Sequence, residues 1–463
     1  MNLILDTDSY KTSHYLQYPK DMTGMYSYIE SRGGEYDKTV FFGLQYILKR
    51  YLSKPITDID ILEAELVFSK HGVPFNKEGW QYILKTYKGY LPVSIKAVPE
   101  GTVVPTGNVL VTIFCVDPKC FWLVSYLETI LLRVWYPTTV ATVSYHIKQD
   151  IKKYMEKTSD YPADVNFKLH DFGSRGVSSS ESAMIGGMAH MVNFQGSDTT
   201  IALVGARRYY DAEMPAYSIP AAEHSTVTSW GSNNEGDFFN HMVETFGGKY
   251  KHVAVVSDSY DLTSALKKWV SLRKTIEKSN SVLVVRPDSG DPTGVVLYTV
   301  RMLDKGFGSK KNSKGYKVLN PCIRVIQGDG INQKSINQIL EALEIVGYSA
   351  DNINFGMGGA LLQHMNRDTL KFAMKCSAVV RDGKWIGVNK NPSTDPTKAS
   401  KKGLLELHYT KEKGYFTTSY SSWEDAVVNA TYNHNNRVMQ QVYLNGQIRY
   451  TSTLSEINAR TEK

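Results

Sequence analysis

The chain has 463 residues, 42% of them hydrophobic and 21% charged, with 35 Gly and 16 Pro. At ~100–200 residues per domain this predicts two or three packing units, and the composition excludes a disordered, fibrous or small disulfide-stapled protein. Lys plus Arg exceed Asp plus Glu by 53 to 46, a formal charge of +7, which suits small phosphorylated ligands and falls short of a nucleic-acid-binding surface.

The segment from Met1 to Tyr10 carries two Asp where a secretory leader would carry basic residues and then a long apolar run. No stretch approaches the ~20 apolar residues of a spanning helix. Cys115, Cys120, Cys322 and Cys376 form no CxxC pair, so neither zinc ligation by Cys nor a disulfide framework is expected. The reading is a soluble, cytoplasmic protein that uses neither nucleic acid nor membrane.

In chain order, Phe42 to Leu52 and Ile61 to Lys70 predict helices. Pro92 to Val111 alternates in strand fashion, with turns at Pro99-Glu100-Gly101 and Pro105-Thr106-Gly107-Asn108. From about Val165 the texture changes to short apolar runs, each followed by Gly, Asp, Ser or Arg and then room for a helix. The runs are Val165 to Leu169, Ile201 to Val204, Val253 to Val256, Val282 to Val285, Ile323 to Ile326 and Ile353 to Phe355. Near-continuous apolar runs suit strands buried on both faces, so a parallel (β/α) barrel is expected over residues 162–363. Beyond it, Asp382-Gly383 and Asn445-Gly446 mark hairpin turns. Residues 1–161 and 364–463 are therefore expected to form one mixed, mainly antiparallel α+β domain built from both chain ends. The stretch from Asn389 to Lys402 reads as the most flexible loop.

Polar clusters follow the runs: His170-Asp171-Phe172-Gly173, Ser257-Asp258-Ser259-Tyr260-Asp261, Arg286-Pro287-Asp288-Ser289-Gly290 and Gly328-Asp329-Gly330. In a barrel these ends converge on one ligand-binding mouth. Asp261, Asp288 and Asp329 could there hold a ribose diol or Mg²⁺, directly or through water, or could each simply cap the next helix. His224 could serve as base or nucleophile, or start a helix with Glu223 and Ser225 as its cap. Gly356-Met357-Gly358-Gly359-Ala360 could admit a phosphate, with Arg367 and Lys375 downstream as further cations, though surface Lys and Arg are the default. Arg175 and Arg286 offer planar forks, Phe172 a ring for stacking, and Lys398, Lys401 and Lys402 a basic loop. No P-loop, HExxH or GxSxG is present. The residues alone reach a barrel enzyme acting on a small phosphorylated, ribose-containing molecule.

The strings Thr7-Asp8-Ser9-Tyr10-Lys11, Leu169-His170-Asp171-Phe172-Gly173-Ser174-Arg175-Gly176, Pro220 to Thr226, Val285-Arg286-Pro287-Asp288-Ser289-Gly290, Gln327-Gly328-Asp329-Gly330 and Phe355-Gly356-Met357-Gly358-Gly359 together resemble the nicotinamide phosphoribosyltransferase family. The resemblance runs from near residue 3 to about residue 440. It implies a type II phosphoribosyltransferase: an irregular barrel joined to an antiparallel domain, in a head-to-tail homodimer with active sites at the subunit boundary. The implied reaction joins nicotinamide to 5-phosphoribosyl 1-pyrophosphate with Mg²⁺, giving nicotinamide mononucleotide and pyrophosphate, with ATP transiently phosphorylating His224.

By resemblance Phe172, with Tyr10 from the other copy, sandwiches the nicotinamide ring, and Asp198 binds the amide nitrogen while repelling a carboxylate analogue. Arg286 and Arg175 lie near base and diphosphate, Asp288 and Asp329 near ribose and metal, and Asp261 and Glu223 around His224. Gly358, Gly359, Arg367, Lys375 and the other copy's Arg32 grip the 5′-phosphate. Asp8, Ser257 and Gly328 join the substrate-binding set. Departures are Ala373 for a Ser beside the 5′-phosphate, Ala360 for a third Gly, Ser174 for a Tyr, and a short connection from Arg32 to Thr39. The lost hydroxyl leaves a second donor open, an ADP-ribose pyrophosphate that would yield NAD directly. A non-catalytic signalling role is a third reading, which the filled reactive positions do not favour.

Overall fold

The computed structural model describes residues 2–394, 399–426 and 436–462, and the chain divides into two compact units. The first comprises Met1–Thr142, Arg208–Ala212 and Met365–Lys463, the second Val143–Arg207 and Glu213–His364. The first break thus falls inside the helix Trp135–Thr158, whereas the sequence placed it at residue 161. Of the basic loop, Lys398 lies outside the described residues, while Lys401 pairs with Glu30.

The first unit is built on a seven-stranded antiparallel sheet whose neighbours run Lys384–Gly387, Phe372–Arg381, Met22–Ser31, Val109–Cys115, Val93–Ala97, Gln440–Leu444 and Gln447–Ile448. Both chain ends contribute to it. Its two hairpins turn where the sequence demands positive φ, at Asp382 (φ 48°) and Gly383 (φ 71°) and at Asn445 (φ 49°) and Gly446 (φ 84°). Paired positive φ values give a turn whose twist matches that of the strands. One buried face carries Ile29, Val111, Ile113, Ile95 and Tyr443. The predicted first helix begins as an α-turn, Leu44–Ile47, and continues as a wider π-turn over Leu48–Leu52; the second is Asp58–His71, opened by a Thr57/Asp60 capping box. Gln45 docks the returning segment by donating to the Tyr209 and Ser452 carbonyls at 2.7 and 3.0 Å.

The second unit holds a six-stranded, all-parallel sheet in the order Gly196–Ser197, Leu169–Asp171, Ile353–Met357, Ile323–Gln327, Val282–Arg286, His252–Val256. Its two edges meet through the segment from Tyr217 to Ala222. Ser197 N donates to Tyr217 O at 3.1 Å on one side, and on the other Ala254 N donates to Pro220 O and Ala222 N to Ala254 O, both at 2.9 Å. The sheet therefore closes into an irregular barrel, and the strand edges are satisfied. The helices Leu262–Ser271, Pro292–Phe307 and Gln333–Ile345 cross between successive strands, with Asp261, Asp291 and Asn332 as N-caps. Ala254, Val284 and Ile326 form a buried cluster against which Phe172, Ile219 and Val282 pack.

Two of the six expected strands differ. Pro162 opens a 3₁₀ helix, Pro162–Phe167, leaving only Leu169–Asp171 as strand. Ile201 to Val204 lies in the helix Thr200–Tyr210, which buries Ala202, Ala206, Tyr209 and Tyr210 while Ile201 and Val204 face outward. A four-residue window of apolar residues could not show that helical spacing. No helix among the described residues is long and apolar enough to cross a membrane.

Candidate active site at the barrel mouth

The carboxyl end of each parallel strand delivers a polar loop. Phe172 follows Leu169–Asp171, and its backbone N–H donates to Met357 O at 3.0 Å. Its ring lies against Gly356, where an added Cβ would come within 1.9 Å of Phe172 Cε2, and the Arg286 guanidinium stands 5.6 Å from its centre. Gly356 and Gly328 thus leave the room that ring and guanidinium occupy. Arg286 holds Asp288 bidentately, Nε donating to Oδ1 at 2.8 Å and Nη2 to Oδ2 at 2.9 Å. Burial raises the Asp288 carboxyl above its ordinary range, Arg286 opposes this, the Asp258 carboxylate adds to it and His224 offsets it. Those four side chains share one electrostatic neighbourhood.

His224 heads the helix His224–Thr228, and its Nε2 lies 3.0 Å from Oδ1 of Asp258. The imidazole is 48% exposed and the Asp258 side chain 6%. An ionised carboxylate can only accept, so Nε2 carries a proton and, in the neutral ring, Nδ1 keeps its lone pair. Nδ1 makes no hydrogen bond among the described residues. Asp258 was the residue the sequence reading passed over in favour of Asp261. In the structure Asp261 spends its carboxylate as a helix cap, accepting from Ser264 N at 2.7 Å. Glu223 stands at the N-cap position without a side-chain cap bond; its carboxylate accepts from the Ser225 hydroxyl and not from the imidazole. The resemblance placed both around His224, and the sequence alone cannot tell which Asp of Ser-Asp-Ser-Tyr-Asp turns inward.

Asp198 is exposed, with its backbone N–H fixed to Asp171 O at 2.9 Å and its carboxylate accepting from the Ser218 hydroxyl. Asp171 is fully buried and accepts from Gly173 N at 2.7 Å; burial pushes its carboxyl up to about 6. Ser257 does not present a hydroxyl to a ligand. It is wholly buried, donates to Val255 O and accepts from the Trp269 indole, each at 3.0 Å. Arg175 is exposed in the turn Ser174–Gly176, and Gly176 would meet Gly359 Cα at 3.5 Å were it to carry a Cβ. Gly358 sits equally close to the Phe172 carbonyl. Asp329 is exposed, while its carbonyl accepts from Gln327 Nε2 at 3.2 Å.

The other expected residues belong to the first unit. Tyr10 is 60% exposed, edge-on to His14 at 5.0 Å. Asp8 accepts from the Thr129 hydroxyl at 2.8 Å, and Arg32 pairs with Glu30 at 2.8 Å. Lys375 is lowered from the ordinary lysine range by burial, against the pull of Glu128, with Arg32, Arg367 and Lys390 pressing the same way as burial. Arg32, Arg367, Lys375 and Lys390 therefore form a cationic group suited to an anion.

The fold is shared with nicotinate-nucleotide pyrophosphorylase from Pyrococcus furiosus, at TM-score 0.64 and 15% identity over 100% of this chain and 95% of that one. It is also shared with human nicotinic acid phosphoribosyltransferase, at TM-score 0.59 and 15% identity over 98% and 93%.

Residues 167–446 match the nicotinate phosphoribosyltransferase (NAPRTase) family and residues 2–95 the N-terminal domain of nicotinamide phosphoribosyltransferase. The chain is 51% identical over 464 aligned positions to the nicotinamide phosphoribosyltransferase of Xanthomonas campestris pv. campestris (strain 8004), covering 100% of this chain and 98% of the relative. It is 35% identical to the enzyme of that name from Mycoplasma genitalium (strain ATCC 33530 / DSM 19775 / NCTC 10195 / G37), over 86% and 94%. The chain is an enzyme that belongs to the nicotinate phosphoribosyltransferase family, on its nicotinamide phosphoribosyltransferase branch.

Proposed function

We propose that the protein transfers the phosphoribosyl group of 5-phosphoribosyl 1-pyrophosphate to nicotinamide, forming nicotinamide mononucleotide and pyrophosphate. The observation that carries this reading is the end-to-end 51% identity to a nicotinamide phosphoribosyltransferase. The barrel mouth supports it. Departure of pyrophosphate leaves an oxocarbenium-like ribose, so the site must hold the pyridine nitrogen in line and balance the leaving charge. Phe172 offers a ring face for the pyridine, and Asp198 an acceptor for the amide N–H that would repel a carboxylate. Arg286, held flat by Asp288, offers its remaining N–H groups to the substrate.

No group of three or more His, Cys, Asp or Glu among the described residues forms a metal cage. The exposed Asp329 and the remaining lone pairs of Asp288 suit Mg²⁺ arriving with the diphosphate, since that ion commonly takes one or two carboxylates plus phosphate oxygens. When bound, it would neutralise the leaving pyrophosphate.

The reading extends to His224 as acceptor of the ATP γ-phosphoryl group. The Nδ1 lone pair forms the P–N bond as the γ-phosphorus bond to the bridging oxygen breaks, ADP leaves with that electron pair, and Asp258 balances the imidazolium charge. Tyr10, Arg32, Arg367 and Lys375 are read as contributions to the ring sandwich and the phosphate grip in a homodimer, Tyr10 from a second copy; Arg32, expected from the other copy, lies with Arg367 and Lys375 in one unit and is read as acting from the same copy as they do.

The test is product formation from nicotinamide with each donor in turn, with and without ATP. Turnover with 5-phosphoribosyl 1-pyrophosphate is expected, boosted by ATP. Turnover with only the ADP-ribose pyrophosphate would overturn the donor. His224→Ala should abolish both acid-labile labelling from [γ-³²P]ATP and the ATP boost; survival of both would remove His224 from the role.

A further inference from the structure

The turn from Arg286 to Pro292 is pinned along its length. Arg286 clamps Asp288, Pro287 is buried, Gly290 takes φ +95°, and Asp291 caps the helix Pro292–Phe307 through Gly294 N at 2.7 Å. Because Asp291 is the cap, the hydroxyl of Ser289 is not needed by that helix. It reaches instead to the loop of the neighbouring strand His252–Val256, where Ser289 Oγ donates to Asp258 Oδ2 at 2.5 Å. The other oxygen of the same carboxylate meets His224. Three loops from three parts of the barrel thus meet in one line: Ser289, Asp258, His224.

A lone carboxylate can rotate about two bonds and present either oxygen. A fixed donor on Oδ2 leaves Oδ1 directed at the imidazole. We propose that Ser289 is a positioning residue for His224, acting through Asp258 to hold the Nε2–H tautomer and the direction of the free Nδ1. The chemical importance of this rests on the reading of His224 as phosphoryl acceptor. The positioning itself does not.

The two are separated by following the His224 ring in the full-length protein by ¹⁵N and ¹³C NMR during pH titration, and phosphohistidine by its acid-labile label from ATP. Asp258 is the anion in contact with that ring, Asp288 lies within electrostatic reach of it, and Arg286 is the cation that balances Asp288. Ser289→Ala should move the ring toward a mixture of tautomers and slow phosphohistidine formation ~10-fold. Asp258→Asn should produce the larger change in the same direction, and Ser289→Thr, which keeps the hydroxyl, should restore the parent behaviour. A general packing defect would leave the ring tautomer unmoved and would not be rescued by Thr. Identical titration curves and ¹⁵N shifts in the parent and Ser289→Ala would overturn the proposal. If the parent gives no phosphohistidine while Ser289→Ala still shifts the ring, positioning stands and the phosphoryl role falls.

Discussion

Single residues divide here into those whose chemistry shows in the sequence and those decided by the direction of one side chain. Phe172, Arg286 and Asp288 fall in the first group because each sits in a polar cluster that follows an expected strand, and the barrel brings all three together. Asp258 falls in the second: its neighbour Asp261 has the same chemistry three positions on, and only the start of the helix Leu262–Ser271 shows which one becomes the cap. Asp171 was legible as part of a motif but not as a buried acid. Its folded pKa of about 6 stands above the ordinary 3.8 because of burial. A raised carboxyl contributes full stability below its unfolded pKa and loses it as pH rises through the folded value, so the cost of ionising Asp171 grows from about pH 4 to pH 6 and reaches about 3 kcal/mol at neutrality. Urea unfolding of the parent and Asp171→Asn between pH 4.5 and 7.5 should show the parent losing ground to the variant as pH rises. A stability difference independent of pH would refute the assignment.

At the level of elements, the sequence showed strands where apolar runs are long enough to be buried on both faces and failed where the strand is short. Val253 to Val256, Val282 to Val285, Ile323 to Ile326 and Ile353 to Phe355 all lie in the parallel sheet. The two-residue strand Gly196–Ser197 and the closing segment near Tyr217 have no hydrophobic signature, because each makes only a few backbone hydrogen bonds and buries little. The strand Ile353–Met357 has a further duty, since its Gly356 is the surface on which Phe172 lies. Gly356→Ala would put a methyl carbon into that ring, which must tilt or lift. The expected result is a rise in the KM for nicotinamide of about tenfold, the size of a lost stacking contact of ~1.4 kcal/mol, with a smaller change in kcat. Steady-state kinetics with nicotinamide varied at saturating donor would show it, and an unchanged KM would mean that the ring of Phe172 does not bear on the base.

For the whole molecule, the legible part was the antiparallel sheet assembled from both chain ends. Asp382-Gly383 and Asn445-Gly446 announce hairpins on their own, and the alternation around Val93 and Val109 supplies strands for them to join. The illegible part was how many copies make one active site, because a residue serving another copy looks like any exposed side chain. Tyr10, an aromatic ring 60% exposed, is the residue proposed for that role. If a symmetric dimer pairs Tyr10 of one copy with Phe172 of the other, each site in Tyr10→Ala and in Phe172→Ala homodimers carries one defect. Exchanging subunits between the two inactive variants yields about half heterodimers, and in each of these one site carries both substitutions while the other carries neither. Roughly a quarter of the parent activity should therefore return on mixing, with exchange confirmed by native mass spectrometry. Exchange without recovery would place Tyr10 and Phe172 of the same copy in one site, or Tyr10 in none.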